Sequence, residues 1–255
     1  MLNISKRILF TLILTIGIYQ NFSNSQSNNS IFKHTERPIF VNKNTGFTNY
    51  ESKLESLGFV EIIKYIPYIQ VDIKYATENN FVKYNFYGDN HKAYVLPECL
   101  NKLIKAYEIL QTLRPNYSFV IFDAVRSVEA QQIMYDSNIF DSLKIPQNQK
   151  YIFVAKPGTS LHNYGMAIDL SIIDTENKLL NMGTNFDYFG ELAKTYRTED
   201  MYKLGRLSKE QYENRQLLFS VMKQAGFTVA QNEWWHFNAC TYDYAKANCR
   251  MFCIN

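Results

Sequence analysis

Residues 160–173 read SLHNYGMAIDLSII, and no other stretch restricts the fold as tightly. Past Gly165, the apolar Ile168, Leu170 and Ile172 alternate with Ala167, Asp169 and Ser171, the two-residue period of a β-strand. Asp169 then lies on the face opposite the isoleucines. A second buried strand is predicted in YSFVIFDAVRS, which is apolar until it ends in a polar turn. FVEIIKYIPYIQVDIKYAT, rich in Ile, Val and Tyr, fits one or two more.

Helices are predicted between these strands. LPECLNKLIKAYEILQTLRP carries Leu100, Leu103, Ile104, Tyr107 and Leu110 at helical spacing, with Pro97 suited to a first turn and Pro115 just past the end. SVEAQQIMYDSNIF opens on Ser127, a favourable N-cap. SKEQYENRQLLFSVMKQAG has Ser208 and Gln211 in capping-box spacing, Leu218, Val221, Met222 and Ala225 on one face, and Gly226 at its end. These elements follow no regular βαβ period and no internal repeat. The expected fold class is therefore α+β: a single domain over residues 58–255, with a mainly antiparallel sheet flanked by helices.

The N-terminus begins MLNISKRILFTLILTIGIYQNFSNSQ, with Lys6 and Arg7, an apolar run from Ile8 to Ile18 and a Ser-x-Ser site at Ser23 to Ser25. This is the pattern of a secretory signal over residues 1–25. The run falls short of the roughly 20 apolar residues that a membrane span needs, so no stable membrane insertion is expected after cleavage. Residues 26–57 are polar and aperiodic and are expected to form an N-terminal arm. The chain has 27 bases and 24 acids, and loss of Lys6 and Arg7 leaves 25 against 24. Such a balance gives no electrostatic reason to expect nucleic acid or an anionic membrane as partner. Export to the periplasm or exterior would put Cys99, Cys240, Cys249 and Cys253 where disulfides persist. Three pairings are open, and a bridge could staple the C-terminal tail to the body.

The chain has four histidines and two tryptophans, and NEWWHFN, residues 232–238, holds both tryptophans and one of the histidines. A hydrolytic zinc commonly takes three His and carboxylate ligands and keeps a fourth position open. His162, Asp169 and His236 would supply such a set, leaving Glu233 free to accept a proton. On a regular strand Glu233 and His236 would face opposite sides. They converge only through a bulge, a strand end or a helical turn. Trp234 and Trp235 are expected to wall the site, one on each face.

SLHNYGMAIDL together with EWWH resembles the zinc D-Ala-D-Ala dipeptidases of the VanX type, within the larger group of zinc D-alanyl-D-alanine peptidases related in fold to the hedgehog signalling domain. DIKYATENNF, FDAVRS and MGTNFDYF resemble further signatures of that family, in order, over roughly residues 59 to 240. The resemblance implies a hedgehog/D,D-peptidase-like zinc peptidase fold and one Zn2+ per chain, held by His162, Asp169 and His236. It implies Glu233 as general base and then acid, and Arg126 as the group that stabilises the oxyanion. It further implies that Asp187 and Tyr75 hold the free amino group of a small D,D-dipeptide and that Ser160 contacts its carboxylate end. One departure is Ser127, where the family has proline after the arginine; losing proline's fixed φ implies a less rigidly aimed Arg126. The implied activity is an exported dipeptidase acting on D-Ala-D-Ala. The alternatives are a peptidoglycan D,D-carboxypeptidase or endopeptidase with an open groove, and a non-catalytic zinc-binding interaction module.

Overall fold

The structure, a computed structural model, describes residues 47–254. The expected signal segment and residues 26–46 of the expected arm lie outside them. The last part of that arm is not aperiodic: it forms helix α1 (Phe47–Ser56), whose Leu54 is fully buried. A Schellman closure ends α1, with Gly58 at φ +87° and bonds from Phe59 N–H to the Leu54 carbonyl and from Gly58 N–H to the Glu55 carbonyl. Leu54 joins Phe59, Tyr94, Val125 and Phe252 in a small core of its own. The folded body therefore begins before residue 58.

The Ile/Val/Tyr-rich region resolves into two short strands, β1 (Val60–Glu61) and β2 (Gln70–Val71), each followed by a single 3-10 turn. Pro67, between them, has no N–H to offer a continuous ladder. β1 pairs antiparallel with β3 (Tyr94–Val95). The main sheet adds β4 (Ser118–Asp123), β5 (Ala167–Ile173), β6 (Thr228–Val229) and β7 (His236–Asn238) to β2, in the order β2-β4-β5-β7-β6. Only the β2–β4 pairing is parallel, so the sheet is mainly antiparallel as its pattern predicts. Every residue of β4 and β5 is buried, so both faces of the sheet centre are covered.

Register across this centre decides which polar side chains become neighbours. Asp123 pairs with Asp169, and Asp169 with His236. Between the pairs Ile121–Leu170 and Asp123–Asp169, β4 carries one residue more than β5. This bulge at Phe122 brings Asp123 onto the face that Asp169 occupies; without it the two carboxylates would point to opposite sides.

Helices α2 (Pro97–Leu113), α3 (Val128–Tyr135), α4 (Ile139–Ser142), α5 (Thr198–Lys203), α6 (Lys209–Gln224) and α7 (Tyr242–Asn248) complete the fold. α2 starts with Pro97 in its first turn and packs against α6. The capping box of α6 is fully formed, with Ser208 and Gln211 each accepting from the other's backbone N–H. Ser127 caps α3 by accepting from Ala130 N–H, yet the helix stops at Tyr135, short of the predicted run. Asp136, Ser137 and Asn138 follow, residues whose side chains compete for local backbone hydrogen bonds.

The four cysteines are all free thiols, so no disulfide staples the tail. Backbone pairing and an aromatic plug hold it instead. Phe252 is fully buried, its N–H donates to the Asn163 carbonyl and its own carbonyl accepts from Val128 N–H. Its ring meets Tyr50 edge-on at 5.0 Å. Phe252→Ala is expected to destabilise the protein by about 3–5 kcal/mol, the usual loss for a buried Phe-to-Ala change. Urea unfolding of the two proteins would check this.

Candidate active site

His162 reaches the sheet from a single 3-10 turn, Leu161–Tyr164, whose N-cap Ser160 accepts the His162 N–H on its side-chain oxygen. Gly165 closes the turn at φ +61°. A Cβ at that position would lie 2.4 Å from the Phe59 ring and 3.2 Å from the Leu96 nitrogen, so both conformation and space require glycine. The chain then enters β5 and presents Asp169, which its register sets beside His236.

Three ligand-type atoms meet there. His162 Nε2 is 3.3 Å from Asp169 Oδ1 and 3.1 Å from His236 Nδ1, and His236 Nδ1 is 2.9 Å from Asp169 Oδ1. Four donors bonded tetrahedrally at about 2.0–2.1 Å have edges of roughly 3.3 Å, so this triangle matches one face of a zinc-sized tetrahedron. It is the metal-competent cluster among the described residues. The far ring nitrogens are also placed: His162 Nδ1 lies 2.6 Å from the Ala124 carbonyl and His236 Nε2 lies 2.8 Å from Asn238 Oδ1. Each carbonyl oxygen accepts the ring N–H, which leaves the lone pairs of His162 Nε2 and His236 Nδ1 turned inward. Burial works against the charge of Asp169, but both imidazoles hold its carboxyl below the usual carboxylate range.

Glu233 stands beside this triangle. It sits ahead of a turn at Trp234 and Trp235 that leads into β7, and its Oε2 is 3.9 Å from His236 Nδ1. The convergence is thus made at a strand end. Burial pushes the Glu233 carboxyl up to about 7; the charge of Asp169 adds to the rise, while His236 and Arg126 oppose it. Its side chain is still 24% exposed, towards the cleft.

Arg126 is buried, not a surface ion-pairing residue. Its Nε donates to Asp123 Oδ2 at 2.9 Å, its Nη2 bonds the same oxygen, and its Nη1 donates to Gln131 Oε1 at 2.8 Å. The guanidinium lies 4.9 Å from the centre of the Tyr75 ring, and Nη2 stands 3.8 Å from Asp169 Oδ2. The missing proline does not loosen it. Ser127 holds φ at −66°, the value proline would impose, and adds a helix cap.

Tyr75 also donates its hydroxyl to Asp187 Oδ1 at 2.9 Å, and Phe81 N–H donates to Asp187 Oδ2 at 3.2 Å. Asp187 occupies the left-handed region at φ +61°, an unusual setting for a residue with a Cβ. Burial drives its carboxyl well above the usual range despite the Tyr75 hydrogen bond. No Lys, Arg or His among the described residues forms an ion pair with it. A cleft of about 300 Å³ connects Tyr75, Arg126, Ser160, His162, Asp187, Glu233 and His236, so every residue singled out for chemistry borders it or, as with Asp169, lies immediately behind.

Two features are not visible in the sequence pattern. Only Trp235 lines the cleft; Trp234 turns to a neighbouring cavity and donates its indole N–H to Thr184 Oγ1 at 2.8 Å. The supporting residues are Asp123, Gln131, Asn163 and Asn238: three of them lie inside the segments FDAVRS, SLHNYGMAIDL and NEWWHFN, but nothing in those segments singles them out as supports. Asn238 has the clearest trace, since it follows His236 by two on one strand and so shares its face.

Residues 55–253 match the family model described as D-ala-D-ala dipeptidase. The D-alanyl-D-alanine dipeptidase of Escherichia coli is 27% identical over 183 residues, covering 72% of this chain and 85% of that protein. A D-alanyl-D-alanine dipeptidase of Synechocystis sp. is 27% identical over 207 residues, covering 72% and 79%. One of Enterococcus faecium is 26% identical over 193 residues, covering 71% and 91%. With a family match that runs from inside α1 to the C-terminal tail and takes in the whole cleft, the chain belongs to the D-Ala-D-Ala dipeptidase family and is a peptidase.

Proposed function

We propose that this protein is an exported zinc dipeptidase, periplasmic or secreted, that hydrolyses D-Ala-D-Ala to two D-alanines. The observation that carries the reading is the triangle of His162 Nε2, Asp169 Oδ1 and His236 Nδ1, with edges of 2.9 to 3.3 Å and Glu233 beside it. These donors fit zinc in number, type and spacing, and the second contacts made by both imidazoles fit the same role. Zinc bound there supplies Lewis acidity, polarising a carbonyl and lowering the pKa of water to about 7.

The chain's own residues do the rest. Glu233 takes the proton of the attacking water on its carboxylate and returns it to the departing amine. Arg126, clamped by Asp123 and Gln131, presents fixed positive charge where the oxyanion develops, without reorganising during the reaction. Asp187 and Tyr75 receive the substrate's ammonium: Asp187 has no cation partner among the described residues and burial disfavours its charged form, so an arriving ammonium stabilises the carboxylate and is held by it. Ser160 Oγ already accepts from His162 N–H, so its own hydrogen is available to the substrate carboxylate.

Purified protein with zinc should cleave D-Ala-D-Ala and leave L-Ala-L-Ala intact. Equal cleavage of both, or of neither, contradicts the substrate assignment. Release of D-alanine from intact stem peptides at a comparable rate would instead favour a peptidoglycan D,D-carboxypeptidase, and bound zinc without turnover on any D,D-peptide would mark an interaction module.

Glu233→Gln is expected to lower kcat by about 10²- to 10⁴-fold, the range for removal of a general acid–base group, with metal content by atomic absorption unchanged. Arg126→Ala should reduce kcat/KM by at least about 10²-fold. Steady-state kinetics that show either variant near wild-type activity would remove that residue from the mechanism.

A further inference from the structure

α6 points Arg215 into the protein interior, where its guanidinium is fully buried. Nε donates to the Met182 carbonyl at 2.7 Å, Nη2 to the Leu192 carbonyl at 2.7 Å and Nη1 to Thr198 Oγ1 at 3.3 Å. Burial pushes its pKa down to about 10, and no acidic neighbour offsets the effect. A buried cation without a counter-ion is unfavourable, and an apolar residue of similar size would fill the space at less cost. The compensation is geometric: three donors of one rigid fork grip a single segment, residues 182–198, at widely spaced points.

That segment carries Asp187 between the first two anchors. Asp187 has a backbone conformation that persists only where the surroundings impose it. α6 adds Asn214 Nδ2 to the Asn181 carbonyl at 3.0 Å and Gln211 Nε2 to Asn181 Oδ1 at 3.3 Å, so one helix face fixes the approach to the loop as well. Trp234, next in the chain to Glu233 and bonded to Thr184, pins the same stretch from the sheet side.

We propose that Arg215 is a positioning residue for substrate recognition: it holds the 182–198 loop so that Asp187 presents its carboxylate to the amino group of the dipeptide. This rests on Asp187 being the receptor for that amino group. Arg215→Lys keeps the charge but replaces the fork with a point donor. It should raise KM for D-Ala-D-Ala about tenfold, leave kcat within about threefold and leave zinc content unchanged. Amide hydrogen exchange should accelerate over residues 183–191 while β4 and β5 stay protected. In an Asp187→Asn background the same change should alter KM by less than about twofold.

An unchanged KM in Arg215→Lys overturns the proposal, and so does a KM rise that persists undiminished beside Asp187→Asn. If Arg215→Lys does not accumulate as folded protein, Thr198→Val removes one acceptor and carries the same test, with a KM rise of about threefold expected and an unchanged KM overturning it. Asp187→Asn that leaves KM unaltered would refute the amino-group assignment instead; hydrogen exchange would still report whether Arg215 anchors the loop.

Discussion

Asp123, Asp169 and His236 stand side by side on three central strands, and the bulge at Phe122 is what allows the first of them to join that row. Side chains alternate faces along a strand, so a slip of one residue in either pairing would send a member of the row to the far side of the sheet. The row then organises its neighbours. Asp169 and His236 meet His162, which the Gly165 turn delivers from the end of a loop. Asp123 holds Arg126, and Arg126 stacks on the ring whose hydroxyl bonds Asp187. A single continuous set of contacts thus links the strand register to the place where the proposed substrate's amino group would rest.

Charge balance around the cleft bears on the proposed reading of this set. Asp123 and Arg126 form a buried ion pair, and the guanidinium also stands 3.8 Å from Asp169 Oδ2. Asp169, Glu233 and Asp187 are then left as three acidic groups around one small cleft. Burial raises the carboxyl pKa values of Glu233 and Asp187, so that their charged forms are disfavoured until a positive charge enters the cleft. A bound dication and one ammonium would bring three positive charges to meet them. Under the proposed function, metal and dipeptide together would offset these acids.

Much of this is legible in the residues. The period-two run around Asp169 announces a central strand, and the capping box at Ser208 and Gln211 announces α6, because both signals are local and strong. The candidate ligands stand out through scarcity and spacing, with so few histidines that each can be weighed. What escapes the sequence depends on tertiary context. The helical end of the expected arm is stabilised by Leu54 meeting residues as distant as Phe252, which no window of sequence displays. Alternation gives the two tryptophans a common task, because it cannot show that the turn before β7 separates them. Asp123 and Gln131 matter through what they hold, and such roles leave no periodic trace. The short strands β1 and β2 are blurred for a related reason: two residues are too few to establish a period.

The grip of Phe252 on the loop that carries His162 ties the C-terminal tail to two segments of the cleft wall. Asn163, adjacent to that histidine, gives its carbonyl to Phe252 N–H, and Val128, next to the cap after Arg126, donates to the Phe252 carbonyl. A chain clipped just after Cys249 would retain each proposed ligand and the direct bonds between the two segments, from Arg126 N–H to the His162 carbonyl and from Asn163 Nδ2 to the Arg126 carbonyl, and would lose only the cross-tie that the tail adds. Trimming of the last few residues would therefore uncover one edge of the arrangement around Tyr50 and Phe59 while the bonds between the two segments stay in place.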